Sequence, residues 1–442
     1  MASPPTRSLP STLGVGALAG LVAALALTLV QALARLGLGV SPPTELIGDR
    51  VAPLLGIERF FSLLELFGGY DQLKALGVGS ATLGQLGVGV VLGAAFAWMS
   101  WRATRGADPG EAGARRPLLM LVAVVAGLWL VSVVALWPVL ATNYRGLPPS
   151  PARIVTVVTM LVSSALFIAV LWGGYRLIAG RPGVAADGSA VGEGSVTRRA
   201  VVVGGVGAGL AVATGGVGVA LFKRSTFGYD GMQVGGPGIL PITPNDRFYV
   251  VTKNVIDPRV QESQWQLSIG GLVDRPHTYD FDDLRSMTAV TQETTLSCIS
   301  NPVGGGLQSN AMWTGVPLAD LLAEAGPGEG VVEVLVTAVD GYSDSFSIDK
   351  AMEATTLVAY EMNGEPLPQR HGYPARILVP GLFGEKNVKW VTRIELVDFD
   401  AKGFYEQQGW GPEFVVPTRS RFTEPDLSQP IAVGALTVLR GT

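Results

Sequence analysis

Two short segments of the chain hold residue types that can do chemistry. The first carries the only cysteine: Thr294-Thr295-Leu296-Ser297-Cys298-Ile299-Ser300-Asn301-Pro302-Val303-Gly304-Gly305-Gly306. A lone cysteine is usually a small buried hydrophobe. Cys298, however, stands between a strand-like run and a glycine-rich loop, where backbone can approach a bulky ligand closely. The second segment runs from Arg370-His371-Gly372-Tyr373-Pro374-Ala375-Arg376 to Gly384-Glu385-Lys386-Asn387-Val388-Lys389-Trp390-Val391-Thr392-Arg393. It sets five Arg/Lys and one His against a single Glu. A solvated basic face is the plain reading. Cations interleaved with apolar strand (Ile377–Pro380) and Gly turns also suit a polyanion such as a phosphate group.

Composition limits the alternatives. One Cys excludes an intrachain disulfide and a Cys-rich zinc or iron–sulfur site, and two His exclude a multi-His metal cage. With 15% charged and 48% hydrophobic residues in 442, the chain is neither disordered nor a basic nucleic-acid binder. Its net charge of −4 hides two halves. Residues 1–224 hold 17 basic and 9 acidic side chains, whereas residues 225–442 hold 15 and 27.

The elements that must position both segments follow from about Gly228 onward. Strand-like runs at Phe248–Thr252, Trp265–Gly270, Val331–Val339 and Arg376–Val379 alternate with Asp340-Gly341 and Asn363-Gly364 turns. Helical patches at Phe281–Met287 and Pro317–Ala325 are short. The pattern predicts a mixed α+β domain over 225–429 without βαβ rhythm.

The first half reads as a membrane anchor, residues 1–224. Five uncharged stretches are long enough to span a bilayer: Ser8–Ala34, Ala75–Trp101, Pro117–Tyr144, Ile154–Tyr175 and Ala200–Phe222. With a cytoplasmic N-terminus, the inner segments carry nine Arg and the outer loops six Arg/Lys. The positive-inside rule then places the N-terminus in and everything after Phe222 outside the cytoplasm, on a multi-pass protein of the cell membrane. The outer loop at 35–74 contains Pro53–Gly69, an expected interfacial helix. Arg198-Arg199 before an apolar run looks like an internal twin-arginine export signal, or like two positive-inside anchors. No span carries His or an ionisable residue, so no haem is expected in the membrane part.

Taken together, the two chemical segments resemble the molybdopterin domain of the sulfite oxidase superfamily. The ordered matches are Trp265–Gly271 with Asp282-Asp283-Leu284, Leu296-Ser297-Cys298, and Ser309-Asn310-Ala311-Met312-Trp313-Thr314-Gly315-Val316. They continue through Asp340-Gly341, Ala359–Pro368, His371-Gly372-Tyr373-Pro374-Ala375-Arg376 and Val388-Lys389-Trp390. The resemblance implies a molybdenum–molybdopterin cofactor with Cys298 as thiolate ligand to the metal. It implies that His371, Arg376, Lys389, Lys386, Asp340 and Asn254 hold the pterin and its phosphate. It also implies two-electron oxygen-atom transfer.

Departures bear on the substrate. Sulfite oxidases carry an Arg-rich stretch after the Cys, where this chain has Ser300-Asn301-Pro302. Trp410 stands where they place a tyrosine near the metal, and Pro430–Thr442 resembles only the start of their C-terminal β domain. Asn301 and Trp410 are expected to shape the substrate pocket. The expected reaction is sulfoxide or N-oxide reduction, against a sulfite-type dehydrogenase or, outside enzymes, a non-catalytic binding or sensory module. Expected partners are a small-molecule substrate, the membrane, and a separate electron carrier or quinol system, with no nucleic acid.

Overall fold

The computed structural model describes residues 8–67, 70–105, 112–179, 198–222, 241–303, 305–411, 414–420, 422–425, 430–431, 433–434 and 436–441. The chain divides into two compact units. One comprises Met1–Arg50, Lys74–Ala141 and Ser150–Ser225, the other Val51–Leu73, Thr142–Pro149 and Thr226–Thr442.

The first unit is helical. The N-terminal helices run in order α1 (Leu9–Gly37), α2 (Pro43–Leu55), α3 (Ile57–Phe67), α4 (Tyr70–Arg105), α5 (Ala112–Leu136), α6 (Pro149–Ala179) and α7 (Arg198–Phe222). Among the described residues, five stretches are long and apolar enough to cross a membrane: Leu9–Gly37, Gln72–Ala103, Arg115–Val139, Pro149–Ala179 and Val201–Leu221. Helices α1 and α4 touch backbone to backbone, since a Cβ added at Gly20 would lie 2.1 Å from Gly89 O. Small residues of this kind let apolar helices pack closely. The third span does not run on to Tyr144 as expected. Helix α5 ends at Leu136, and Trp137–Val139 forms one 3-10 turn around Pro138, whose ring nitrogen donates no helical hydrogen bond. Arg198 and Arg199 open α7, whereas Thr197 and the flanking linkers, like Gly304 of the Cys loop, lie outside the described residues.

The interfacial segment appears as the end of α2 and as α3, separated at Gly56 (φ +70). Residues 51–73 belong to the second unit.

The second unit is mixed α+β. Its main elements are β1 (Leu267–Gly271), β2 (His277–Tyr279), α8 (Phe281–Ser286), β3 (Val290–Ser297), β4 (Gln308–Pro317), α9 (Leu318–Ala325), β5 (Glu333–Ala338), β6 (Ser343–Ser347), β7 (Leu357–Met362), β8 (Glu365–Pro366), β9 (Arg376–Leu378) and β10 (Val391–Val397). One sheet has the order β2-β1-β10-β5-β6 and another β3-β4-β7-β8, with β9 also on β7. Among named strands only β1 and β10 pair in parallel. Strands β11 (Phe422–Glu424) and β12 (Arg440–Gly441) pair with each other. The Asn363-Gly364 turn between β7 and β8 has both residues at positive φ, +55 and +79, as a tight hairpin requires.

Two buried tryptophans anchor the core. Trp265 Nε1 donates to Val391 O and Trp313 Nε1 to Thr294 O, so neither ring buries an unpaired donor. Truncating either to Ala would cost about 3–5 kcal/mol. The predicted strand Phe248–Thr252 is not a strand. Its polar groups are spent elsewhere: Tyr249 N–H donates to Ser309 Oγ, and Val251 O accepts from Lys389 Nζ.

Candidate functional site

A cavity of about 220 Å³ opens in the second unit, and its wall brings together Cys298, Asp340, His371, Arg376, Lys389 and Trp410. Cys298 follows directly on β3. The loop after it closes on itself: Cys298 N–H donates to Leu307 O at 2.9 Å, and Asn301 N–H to Cys298 O at 3.0 Å. Asn301 Oδ1 accepts from Leu307 N–H at 3.0 Å. A Cβ at Gly305 would lie 2.4 Å from that Oδ1, so only glycine fits there. Cys298 Sγ lies 3.1 Å from Ser300 Oγ. Burial raises the thiol's pKa, which the Ser300 hydrogen bonds counter.

The cations of the wall meet carbonyls. Arg376, on β9 and 4% exposed, donates from Nη1 to His371 O at 3.1 Å and from Nη2 to Asn387 O at 2.8 Å. Its Nε is buried with no hydrogen-bond partner among the described residues, and the guanidinium lies 5.0 Å over the Trp313 ring. Burial lowers its pKa to about 10. Lys389 Nζ donates to Val251 O (3.1 Å) and Arg370 O (3.2 Å). Burial lowers its pKa to about 8, with Asp257 opposing. Neither Arg376 nor Lys389 is hydrogen-bonded to a carboxylate among the described residues. Buried cations held this way are set for an incoming anion. Trp390, beside Lys389, sits at φ +52. That conformation costs a bulky residue about 1–3 kcal/mol and is held by its indole N–H on Gln369 O at 2.7 Å. His371 Nε2 lies 3.0 Å from Asn245 O, and burial lowers its pKa to about 3, so the ring is neutral and Nε2 is the donor.

Trp410 reaches the wall from the turn after Glu406–Gln408, where Gly409 takes φ +93. Its ring packs on Tyr405 with centroids 5.4 Å apart, and Tyr405 lines the cavity too.

Three expected residues stand behind the wall. Asn254 Nδ2 donates to Asp340 Oδ2 at 2.7 Å. Asn301 braces the Cys loop, and its carbonyl accepts from Arg419 Nη1 at 2.7 Å. Lys386 is the departure from expectation, because its ammonium donates to Asp344 Oδ1 (2.7 Å), Ser345 O (2.9 Å) and Glu406 Oε2 (3.0 Å). All three of its donors are used inside the protein, which leaves none for a phosphate.

Other wall residues were not singled out from sequence: Tyr249, Arg370, Glu385 and Asn387. Arg370 Nε pairs with Asp257 at 2.9 Å. Glu385 is the one acid in the basic segment, and burial raises its carboxyl's pKa to about 7. That lone acid was the available signal. Tyr249 lay in a run read as an ordinary strand, which hid it.

Comparison with known proteins agrees with this geometry. Residues 254–405 match the family described as the oxidoreductase molybdopterin binding domain. The chain is 30% identical over 148 residues to the uncharacterized oxidoreductase YuiH of Bacillus subtilis, covering 34% of this chain and 73% of that protein. It is 31% identical over 240 residues to the mitochondrial sulfite oxidase of Homo sapiens, covering 45% of this chain and 44% of that one. Its match to the human enzyme thus spans less than half of that protein's length. The sulfane dehydrogenase SoxCD structure from Paracoccus pantotrophus is 26% identical, covering 44% of this chain and 56% of that chain, with a TM-score of 0.38. The family's group is a molybdenum–molybdopterin cofactor, and the site suits it: a single thiol for a soft metal shares a cavity with buried Arg376 and Lys389, whose hydrogen bonds among the described residues go to carbonyls. With the sequence match and this donor set in agreement, the chain belongs to the sulfite oxidase superfamily of molybdopterin-dependent oxidoreductases.

Proposed function

We propose that this oxidoreductase is anchored in the cell membrane by five spans. Its catalytic unit faces away from the cytoplasm and reduces a small neutral sulfoxide or N-oxide by two-electron oxygen-atom transfer. The observation that carries the site is the juxtaposition of Cys298 with Arg376 and Lys389 in one cavity. When bound, the cofactor supplies a metal centre that exchanges two electrons and an oxygen atom with the substrate. Cys298 would hold the metal as a thiolate, giving up the proton that burial otherwise retains. Arg376 and Lys389 take the phosphate. Neutral His371, its Nε2–H spent on Asn245 O, would add no charge and could only accept at Nδ1. Asp340, steadied by Asn254, would offer its carboxylate to donor groups of the pterin. Trp410 and Tyr405 wall off water and orient the substrate. Glu385, on the cavity wall, would hold a proton up to near neutral pH because burial raises its carboxyl to about 7.

The substrate class rests on what surrounds the thiol. Ile299 and Ser300, which follow Cys298 directly and line the cavity with it, carry no charge that would attract an oxyanion, and the cavity's cations Lys253, Arg370, Arg376 and Lys389 come from other segments. Sulfite oxidation is the second reading. It is favoured by Arg419, which a distant segment brings onto the Cys loop. Two features support the topology. Residues 51–73 and 142–149, which flank alternate apolar stretches, belong to the same unit as the C-terminal domain. That is the arrangement five crossings would give, and the choice of side rests on the positive-inside count. Electrons reach the site from a separate carrier or quinol system.

Elemental analysis of the purified full chain tests the enzyme reading, and absence of molybdenum would sink it in favour of a non-catalytic module. A dye-linked panel of sulfoxides, N-oxides and sulfite chooses between the two reactions. A reporter fused after Thr442 that works only in the cytoplasm would overturn the topology.

A further inference from the structure

The segment Thr142–Pro149 lies between α5 and α6 in sequence, yet it is built into the second unit. It is tied on two sides. Asn143 N–H donates to Val339 O at 3.0 Å, while the N–H groups of Arg259 and Gln261 donate to Tyr144 O (3.0 Å) and Arg145 O (2.8 Å). Asn143 Oδ1 accepts from the N–H groups of Arg145 (2.9 Å) and Leu147 (3.4 Å), a local turn that fixes the loop's shape. Thr142, Asn143 and Tyr144 are buried. Two glycines allow the approach: a Cβ at Gly146 would lie 2.7 Å from Val260 Cγ1, and one at Gly341 would lie 2.6 Å from Thr142 Cγ2.

One side chain of this loop reaches toward the cavity. Tyr144 Oη donates to Asn254 Oδ1 at 3.0 Å, and the Nδ2 of the same amide donates to Asp340 Oδ2 at 2.7 Å. Asp340, an acceptor only, sets which end of the amide faces it, and the phenol's hydrogen bond to Oδ1 braces the amide from the opposite side. Asp340 Oδ1 accepts from Tyr342 N–H at 3.0 Å, so the carboxylate is held at both oxygens on the cavity wall. Residues 252–261 contain no strand or α-helix. With no ladder to shape them, they depend on such ties.

We propose that Tyr144 is a positioning residue of the cofactor site. Through Asn254 it fixes Asp340, so the loop between the third and fourth apolar helices completes a cradle otherwise drawn from the C-terminal sequence. This rests on the reading that Asp340 faces the pterin.

The test uses the full-length protein, with Tyr144→Phe, Asn254→Ala and the double variant. Three quantities are read: molybdenum and pterin per chain, the rate of cofactor release on dilution, and the melting temperature of cofactor-free protein. Losing one buried hydrogen bond should speed release about three- to tenfold in Tyr144→Phe. The cofactor-free melting temperature should fall by no more than about 10 °C, the cost of one orphaned buried acceptor, and the double variant should release no faster than Asn254→Ala alone. Wild-type release in Tyr144→Phe would overturn the proposal, as would additive effects in the double variant or a cofactor-free melting temperature more than about 15 °C below wild type. Wild-type protein lacking molybdenum would instead refute the cofactor reading beneath it.

Discussion

Replacing Arg376 by Met asks whether the buried cations serve the fold or a ligand. Holding this charge inside costs stability. Burial pulls the guanidinium from 12.5 to about 10, which at about 1.4 kcal/mol per unit is roughly 3 kcal/mol against the folded state. Methionine removes that cost and fills similar volume. It also strips the carbonyls of His371 and Asn387 of their donors, at about 1–3 kcal/mol each. The two effects offset to between roughly 1 kcal/mol of gain and 3 kcal/mol of loss. For a unit of this size the melting temperature of cofactor-free protein should fall by no more than about 10 °C. Cofactor retention should suffer far more. A charge-assisted bond to an anion is worth about 1.5–3 kcal/mol, or roughly ten- to hundredfold in affinity. Calorimetry of the cofactor-free protein and molybdenum and pterin content after dialysis read the two sides separately. If cofactor-free Arg376→Met unfolds more than about 15 °C below wild type, or keeps wild-type molybdenum, the assignment of Arg376 to the ligand is refuted.

Lys386→Met should behave in the opposite way. Asp344 and Glu406 would lose a buried partner, costing about 3–5 kcal/mol, and calorimetry should show the same destabilisation with or without cofactor. Cys298→Ser should retain pterin yet lose turnover by more than about 100-fold, since even residues that merely support metal ligands cost 10–100-fold; steady-state assays with quantified pterin check this. His371 has a folded pKa of about 3 against 6.5, so the unfolded chain binds the extra proton between those values and stability falls as pH drops through that window. His371→Gln should flatten the acid limb of cofactor-free stability by up to about 1.4 kcal/mol per pH unit, measured by denaturant titration across pH.

Much of the fold was legible because its signals are local. The Asn363-Gly364 hairpin, the short helix read at Phe281–Met287 and the uncharged helices each follow from a few neighbouring residues. The elements that misled depend on distant partners. Phe248–Thr252 has strand composition, but Ser309 and Lys389 take its backbone groups. Thr142–Tyr144 reads as the end of an apolar helix, yet Val339, Arg259 and Asn254 draw it into the other unit.

The basic segment shows the limit of composition most directly. Lys386 and Lys389 are three residues apart, and as residue types they are the same. What separates them is the partner each ammonium meets. Lys386 lies at the end of the 3-10 turn Gly384–Lys386 and turns to two carboxylates brought by Asp344 and Glu406. Its charge is cancelled before any ligand arrives. Lys389 precedes Trp390, whose positive φ sets the start of β10 apart from it, and its ammonium lies over the Trp390 ring and, among the described residues, donates to the carbonyls of Val251 and Arg370. Carbonyl dipoles orient an ammonium without neutralising it, so the unspent charge stays in the cavity wall, available to a phosphate. The same contrast separates Arg376, on carbonyls, from Arg370, on Asp257. Which cations of such a segment bind a ligand is thus decided by where the fold places its carboxylates, and those lie 20 or more positions away in sequence.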